Sequence, residues 1–400
     1  MARQISVGID IGSHQVKAVI AEEVLVNGRV VPRIIGQGAV EAKGLHRGYI
    51  LNPGEVGKCV RLALDKAESM AGVKAKRAFV SVGGVGLSSA LTTGSVAISR
   101  ADLEVTHLDI ENAQEAAEAA IPEALSRNRK IINSIPLAIL LDGKPVLGRV
   151  EGMRAGQLLV KILFITCLEH HLEDLIRAVE SADVEVTDVV AAPIASSFVT
   201  LAKKQKKAGC LLLNIGSETL SLVVFENGNP LSLEVFEMGG NDLTNDIALG
   251  LKISLDEAES IKLGAYTRTD YPKKKLDDII YNRLSDMFDL VEGHLKKLGR
   301  HGLLPAGVVL TGGSAGLPGF RNFAEDFLKL PARVGEVHIG GEEKRSTKDL
   351  AWTTAYGLAI VGFNAENEQG SVGQKGMERL AEGGKRGFRT ISNWLGKFLP

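Results

Sequence analysis

Two short stretches constrain this chain more than anything else in it: GIDIGSHQVK at 8–17 and LNIGSETL at 213–220. Each puts a glycine-bearing turn where one apolar strand pattern gives way to the next, and each belongs to a run of three strand-like segments. The first run is QISVGIDI, VKAVIAEE and VVPRIIGQGAV; the second is CLLLNIGS, TLSLVVFENG and LSLEVFEMGG. A theme that returns in the second half of a chain implies two similar halves. The length agrees, because 400 residues exceed the ~250 to 300 that a single core usually serves. The expected fold is α/β and two-lobed, with duplicated strand-helix cores and a cleft between them.

Between the halves the pattern changes. A well-punctuated helix is expected from about 52 to 72. Asn52 can cap it, Pro53 suits its first turn, Val56, Val60, Ala63, Leu64, Ala67 and Met70 form its apolar stripe, and Gly72 stops it. The strand RAFVSV follows. From 85 to 167 strands surround one Ala- and Glu-rich helix, DIENAQEAAEAAI, which reads as a small inserted α+β unit. Alternation then resumes, with a helix at 171–182, a strand at 184–190 and a helix at 193–203. The basic run KKQKK ends it as a solvated junction between lobes. The second half continues with helices at about 242–263 and 276–298, the strand AGVVLTGG, and helices at 319–329 and 348–362. The segment from 364 to 384 is rich in Gly, Glu, Gln and Asn and too poor in apolar residues to order itself. The expected division is therefore 1–84 with 168–204 as the first lobe, 85–167 as the insert, and 205–362 as the second lobe with a helical part at about 241–303. A linker at 363–384 and a terminal helix at 385–400 complete it.

Several function classes are disfavoured. With 47 basic against 48 acidic side chains, a net charge of -1, the chain lacks the positive field that nucleic-acid binding draws on. Cys59, Cys167 and Cys210 lie far apart, two of them in apolar runs, and read as buried thiols in a reducing cytoplasm. The opening MARQISVGIDIG carries no export signal, and the apolar stretch near 158–168 is interrupted by Lys161, so no spanning helix is expected. The chain should be soluble or lie on a membrane surface. His170 and His171 adjoin Glu169, but neighbouring histidines on a helix point apart and no third metal ligand is spaced for them; helix surface is the expected place for both.

The glycine turns carry the chemistry. Such turns expose backbone N–H groups, and glycine removes the Cβ that would obstruct a phosphate. The turns at Gly12–Ser13 and at Gly216, Ser217 and Thr219 occupy matching places in the two halves, and a third, LTGGSAG, lies at 310–316. Together they suggest phosphates clamped between the lobes, with a nucleoside on Gly312, Gly313 and Ser314.

These residues resemble the actin, sugar kinase and heat-shock chaperone superfamily, and within it the FtsA family of division proteins, over roughly 4–362 and the tail. The resemblance implies ATP with Mg2+. It makes Asp10, Gly12 and Ser13 a phosphate loop with Asp10 towards the metal. Lys17, seven residues after the aspartate, would be a phosphate contact. Many FtsA relatives carry that lysine two positions earlier, where this chain has Gln15. MGGNDLTNDIALGL at 238–251 and EAESIKL at 257–263 resemble the family's stretch after the second loop, placing Gly239 and Gly240 near phosphate and Glu259 and Lys262 near ribose and adenine. One departure matters: Asn214 stands where the second loop usually has an aspartate, so nucleotide binding with slow or absent hydrolysis is expected. The insert matches the family's own subdomain and is expected to meet other division proteins. The helix carrying Arg283, Lys296 and Lys297 lies where FtsA docks the C-terminal tail of FtsZ. PilM pilus-assembly proteins share the fold and a similar first turn but lack a comparable terminal anchor. A sugar kinase would need a catalytic carboxylate beside the clamp, the place that Asn214 occupies.

The last sixteen residues, KRGFRTISNWLGKFLP, space Phe388, Ile391, Leu395 and Phe398 by three, four and three, flanked by Trp394 and Leu399. Lys385, Arg386, Arg389 and Lys397 add positive charge and no acid is present. This is the composition of a helix lying in the plane of an anionic membrane surface. Burying its apolar face could give on the order of 10 kcal/mol, much of it offset by ordering so short a helix. One tail should bind reversibly, and many tails on a filament strongly. The expected place is the cytoplasmic membrane face at the division site.

Overall fold

The computed structural model describes residues 4–26, 29–264, 271–339, 343–345 and 347–371. Strands β1 (Ile5–Ile11), β2 (Gln15–Val26) and β3 (Arg29–Glu41) form an antiparallel meander. Helix α1 (Pro53–Ala71) packs on it, capped as its sequence dictates: the Asn52 side chain accepts from Glu55 N, and Gly72 ends it at φ 68°. Strand β4 (Arg77–Val82) then joins β1 in parallel.

The insert follows, with β5 (Leu87–Ala97), α2 (His107–Ala119), β6 (Arg129–Leu141), β7 (Lys144–Val146) and β8 (Gln157–Leu168). Its sheet, ordered β5-β8-β6-β7, is antiparallel and has a core of its own, including Val105, Ala113, Ala117, Leu158 and Val160. The chain returns through α3 (Glu169–Glu180) to β9 (Glu185–Ala191) beside β4, then α4 (Ala192–Thr200).

The second half repeats this plan. Strands β10 (Cys210–Ile215), β11 (Leu220–Glu226) and β12 (Asn229–Phe236) form the meander. Three helices follow, α5 (Gly240–Leu251), α6 (Leu255–Lys262) and α7 (Lys273–Lys297). Strand β13 (Val308–Thr311), helix α8 (Phe320–Leu328), strand β14 (Ala332–Val334) and helix α9 (Thr353–Ser371) complete it. The two large sheets run β3-β2-β1-β4-β9 and β12-β11-β10-β13-β14, each an antiparallel meander extended by two parallel strands. The duplication read from two turns is thus a duplication of whole sheets.

Four expectations need correction. The helix expected over 242–263 is two, because Lys252 turns left-handed at φ 59° and the Ser254 side chain caps the second. The final helix runs on to Ser371, past the expected linker boundary at 363, and it packs against β1, β2, β4 and α4 of the first lobe, while the hydroxyl of its first residue, Thr353, lies 3.2 Å from that of Thr311 in the second. Leu358 and Val361 join one core cluster and Ala355, Tyr356, Ala359 and Phe363 the other, so α9 is a seam rather than a part of the second lobe. At its crossing with α4, a Cβ on Gly357 would stand 1.9 Å from the Ala195 carbonyl oxygen. His171 is buried, edge-on to the Tyr49 ring at 5.6 Å, because it shares the inward face of α3 with Leu172 and Leu175; only His170 projects outward.

The last correction concerns KKQKK. It forms a short helix, Lys203–Ala208, and Lys206 turns inward between the lobes. Its ammonium lies 4.7 Å from the centre of the Phe198 ring and 5.0 Å from that of Phe225, and donates to Ser197 Oγ at 3.2 Å. Two aromatic faces and one hydroxyl replace its hydration only in part. Burial therefore pulls its pKa down to about 8 from 10.5. Below 8 folding must desolvate a charge. Between 8 and 10.5 the unfolded state binds the extra proton, so stability from this group rises with pH. Lys206→Met should then unfold at higher denaturant than the unsubstituted chain at pH 7, by on the order of 2–3 kcal/mol, with the gap closing towards pH 10. A gap that stays constant with pH would contradict the burial of a charged Lys206.

Candidate functional site

The two meanders bring their first turns to face each other across a cleft of about 990 Å³. In the first, Gly12 N donates to Gln15 O at 3.2 Å; in the second, Gly216 N donates to Thr219 O at 2.9 Å. The turns follow equivalent strand ends, since Asp10 is paired with Lys17 across the first hairpin and Asn214 with Ser221 across the second. A hydroxyl on the parallel neighbouring strand accompanies each: Ser81 on β4, and Thr311 on β13 in register with Asn214. Backbone geometry is duplicated and charge is not. The ionic pair at these strand ends, Asp10 with Lys17, belongs to the first hairpin; its counterpart in the second, Asn214 with Ser221, is neutral.

Asp10 Oδ1 accepts from Ser81 Oγ at 2.8 Å, and Ser81 Oγ in turn accepts from Ile11 N at 3.2 Å. Burial pushes the Asp10 carboxyl above its ordinary range, against the opposing pull of the Lys17 ammonium and the Ser81 hydroxyl. Lys17 is itself buried. A buried carboxyl beside a buried ammonium, opening on a cleft, is suited to a cation-bearing anion that would engage both. Ser13 Oγ accepts from Gly48 N at 3.0 Å, which leaves its own proton free to donate.

The opposite wall is built on the N-terminus of α5. Gly240 N donates to Gly216 O at 2.9 Å and Asn241 N to Ser217 O at 2.7 Å, locking the helix start behind the second turn. Gly239 and Gly240 therefore support the cleft from behind rather than line it. A Cβ at Gly240 would meet Ser314 Oγ at 2.3 Å, so the third turn closes directly on this helix start. Gly312, at φ 94°, lies so close to the Asn214 amide that a Cβ would fall 2.3 Å from its Oδ1; Gly313 faces open space.

Farther along the cleft, Lys262 is buried and donates to Gly240 O at 3.2 Å and Thr244 Oγ1 at 2.9 Å, and it pairs with Glu259 Oε2 at 2.6 Å. Thr244 Oγ1 donates to the same Glu259 oxygen at 2.6 Å. Burial would raise the Glu259 carboxyl, but the Lys262 and Thr244 hydrogen bonds outweigh it and hold it below the usual carboxylate range. A fixed, ionised carboxylate next to a polar cavity is an acceptor for hydroxyl or amino groups of a ligand.

Asp10, Gly12, Ser13, Lys17, Asn214, Gly216, Ser217, Thr219, Glu259, Lys262, Gly312, Gly313 and Ser314 all line this one cleft. The sequence reading missed Ser81, Gly48, Thr244 and Pro193, which line it too. Thr244 was open to detection, four residues after Gly240 on a helix. Gly48 was not, because nothing local ties residue 48 to residue 13. Arg283 lies on α7, held along one edge by the Asp246 carboxylate, with Nε to Oδ2 at 2.5 Å and Nη2 to Oδ1 at 3.0 Å. The amphipathic stretch bearing Phe388, Ile391, Trp394, Leu395, Phe398, Leu399, Arg386, Arg389 and Lys397 lies outside the described residues. Among the described residues no helix is long and apolar enough to cross a membrane.

Comparison with known proteins follows the same lines. The family model described as cell division protein FtsA matches residues 211–357. The cell division protein FtsA of Bacillus subtilis (strain 168) is 30% identical over 385 residues, covering 91% of this chain and 84% of that protein. Among solved structures, a PilM-PilN type IV pilus biogenesis complex has a TM-score of 0.65 at 20% identity, covering 89% of this chain and 98% of that one. MreB5 of Spiroplasma citri bound to ADP has a TM-score of 0.51 at 13% identity, covering 92% and 98%. The structural likenesses speak for an actin-like fold. Sequence identity along most of both chains goes further, and the chain belongs to the FtsA family of cell-division proteins.

Proposed function

We propose that this chain binds ATP with Mg2+ between its lobes, assembles with copies of itself on the cytoplasmic face of the membrane at the division site, and tethers FtsZ there. The observation that carries the nucleotide reading is the pair of equivalent glycine turns opposed across one cleft, with Asp10 and Lys17 on one side and Gly312–Ser314 on the other. The turns would hold phosphates through backbone N–H groups, aided by Ser13, Ser217 and Lys17. Gly312 and Gly313 would let a nucleoside approach the backbone, with Glu259 and Lys262 at its ribose and base. That MreB5 has been solved with ADP supports the choice of ligand.

The residues suit a magnesium ion that arrives with the nucleotide. Among the described residues no cluster of three or more His, Cys, Asp or Glu side chains could hold a metal by itself. Mg2+ characteristically keeps several waters and takes one or two carboxylates plus phosphate oxygens. Asp10 is the carboxylate at the end of the strand that leads into the first turn. Asn214 sits at the equivalent position of the second turn, where its amide brings no charge to a cation and cannot act as a base. ATP is then a ligand that holds the lobes together more than a substrate.

The remaining roles rest on sequence pattern and family. The stretch 385–400 would lie on anionic lipid, with 372–384 as its lead, and the insert at 85–167 would meet later division proteins. The C-terminal tail of FtsZ would dock on the helices of the second lobe, near Arg283. Because Asp246 already occupies the Nε–Nη2 edge of that guanidinium, an acidic tail there would compete with Asp246 or extend its network through Nη1.

Titration calorimetry should show ATP binding with 1:1 stoichiometry. Lys17→Ala should weaken it on the order of tenfold to a hundredfold, the range of one lost hydrogen bond to a charged group. Phosphate release at the rate of an active chaperone ATPase would remove the structural-ligand reading, and no ATP binding would remove the nucleotide site. Separately, a chain lacking 385–400 should stay in the supernatant when anionic liposomes are sedimented, while the full chain pellets with them; equal pelleting of the two would count against the tail as anchor.

A further inference from the structure

The cleft has a second connection between its lobes, at its mouth. A small hairpin pairs Leu45 with Ile50 and His46 with Tyr49, and its two tip residues are both left-handed, Arg47 at φ 50° and Gly48 at φ 79°. A turn of that kind is rigid, and the left-handed backbone is costly for arginine. The tip is wedged in place. Gly48 N donates to Ser13 Oγ of the first turn, and a Cβ on Gly48 would lie 2.4 Å from Gly84 Cα. From this fixed base the tip reaches the second lobe. Arg47 N donates to Glu218 Oε2 at 2.5 Å, Arg47 Nη1 to Glu237 Oε2 at 2.5 Å, and His46 Nδ1 stands 3.7 Å from Glu218 Oε1. Glu218 lies between Ser217 and Thr219 of the second turn, yet its carboxylate points to the hairpin and is absent from the cleft wall.

A carboxylate on a turn suited to phosphate is electrostatically unfavourable for any phosphate that binds there. Its engagement by the opposite lobe gives it another use. We propose that the hairpin tip is a clasp over the cleft mouth, in which Arg47 grips Glu218 and Glu237, and that opening this clasp gates nucleotide exchange. The proposal rests on the nucleotide reading above and adds the regulation of that site. The lobes are held at the base by the crossing of α9 and α4 and at the mouth by Arg47. A ligand clamped between the two turns leaves only when the mouth parts, and parting breaks the bonds of Arg47 to the second lobe. Because Arg47 and Glu237 are about half exposed, with side-chain exposures of 43% and 53%, the clasp is a weak and reversible one, and salt should loosen it. Ser13 joins the clasp to the ligand directly, since its hydroxyl accepts from Gly48 while its proton can reach a phosphate.

Release of a fluorescent N-methylanthraniloyl-ATP, chased with excess ATP, separates the clasp from simple charge effects. Removing a negative side chain near the cleft should, by charge alone, slow the departure of a polyanion. The clasp requires the reverse: Glu237→Ala should speed release about fivefold, the scale of one exposed ion pair. Arg47→Ala should do the same, and the double variant should release little faster than either single one. Hydrogen exchange on the nucleotide-free chain adds a second measure, in which Glu218→Ala should lose protection at the Arg47 amide. Unchanged or slower release from Glu237→Ala, or unaltered Arg47 protection in Glu218→Ala, overturns the clasp and leaves the nucleotide site standing. If the unsubstituted chain gives no fluorescence change with the analogue, the nucleotide reading falls and the gate with it.

Discussion

The close crossing of α9 over α4 is the constraint on which the cleft depends. Only a residue without a side chain fits at position 357, where an added methyl carbon would stand 1.9 Å from a carbonyl oxygen. The helix contributes to both large core clusters, and its first residues, Thr353 and Thr354, line the cleft together with Pro193 at the start of α4. The turns of the two meanders line the same cleft. Their opposition is therefore set by a contact remote from them in sequence, and Lys206, in the same junction, adds a buried charge that the surrounding rings compensate only in part.

Much of this fold is legible in the chain because its signals are local. Helix α1 carries its start, stripe and stop within 21 residues, and the structure follows them at Asn52, Pro53 and Gly72 and along the stripe as far as Ala67, with Met70 exposed. The repeated turns announce two halves, and the sheets repeat strand for strand. What was not legible is long-range. Lys206 looks solvated in KKQKK because a basic run usually is, and only the folded positions of Phe198 and Phe225 draw one lysine inward. His171 looks like surface beside His170 until Tyr49 arrives from a hairpin more than a hundred residues earlier. Glu218 reads as an ordinary turn residue, and its partner at Arg47 belongs to the other lobe.

The cleft also shows how duplication permits divergence. Both strand ends keep the same hairpin and the same pairing, features of the backbone, and each has a hydroxyl on the neighbouring strand. The side chains at the paired positions differ. Asp10 with Lys17 makes one end ionic, whereas Asn214 with Ser221 makes the other neutral. Ligand recognition is thus divided unequally between lobes of equal architecture: at the paired turns the first lobe supplies charge and the second supplies shape, through Gly312 and the start of α5, while the second lobe's own ionic pair, Glu259 with Lys262, stands farther along the cleft.

The insert bears on a different problem, that of unpaired sheet edges. Strand β12 ends the second sheet and β5 ends the sheet of the insert. Left bare, each would offer a row of free N–H and C=O groups to any extended chain. Here they are turned towards one another, and Ser89 Oγ donates to Leu233 O at 2.8 Å and accepts from Leu233 N at 2.9 Å. One hydroxyl thereby occupies both backbone groups of a residue in the middle of that edge strand. Strand addition is obstructed at this part of the edge, and a partner that approaches it meets side-chain surfaces, which can be specific, rather than bare main chain, which cannot.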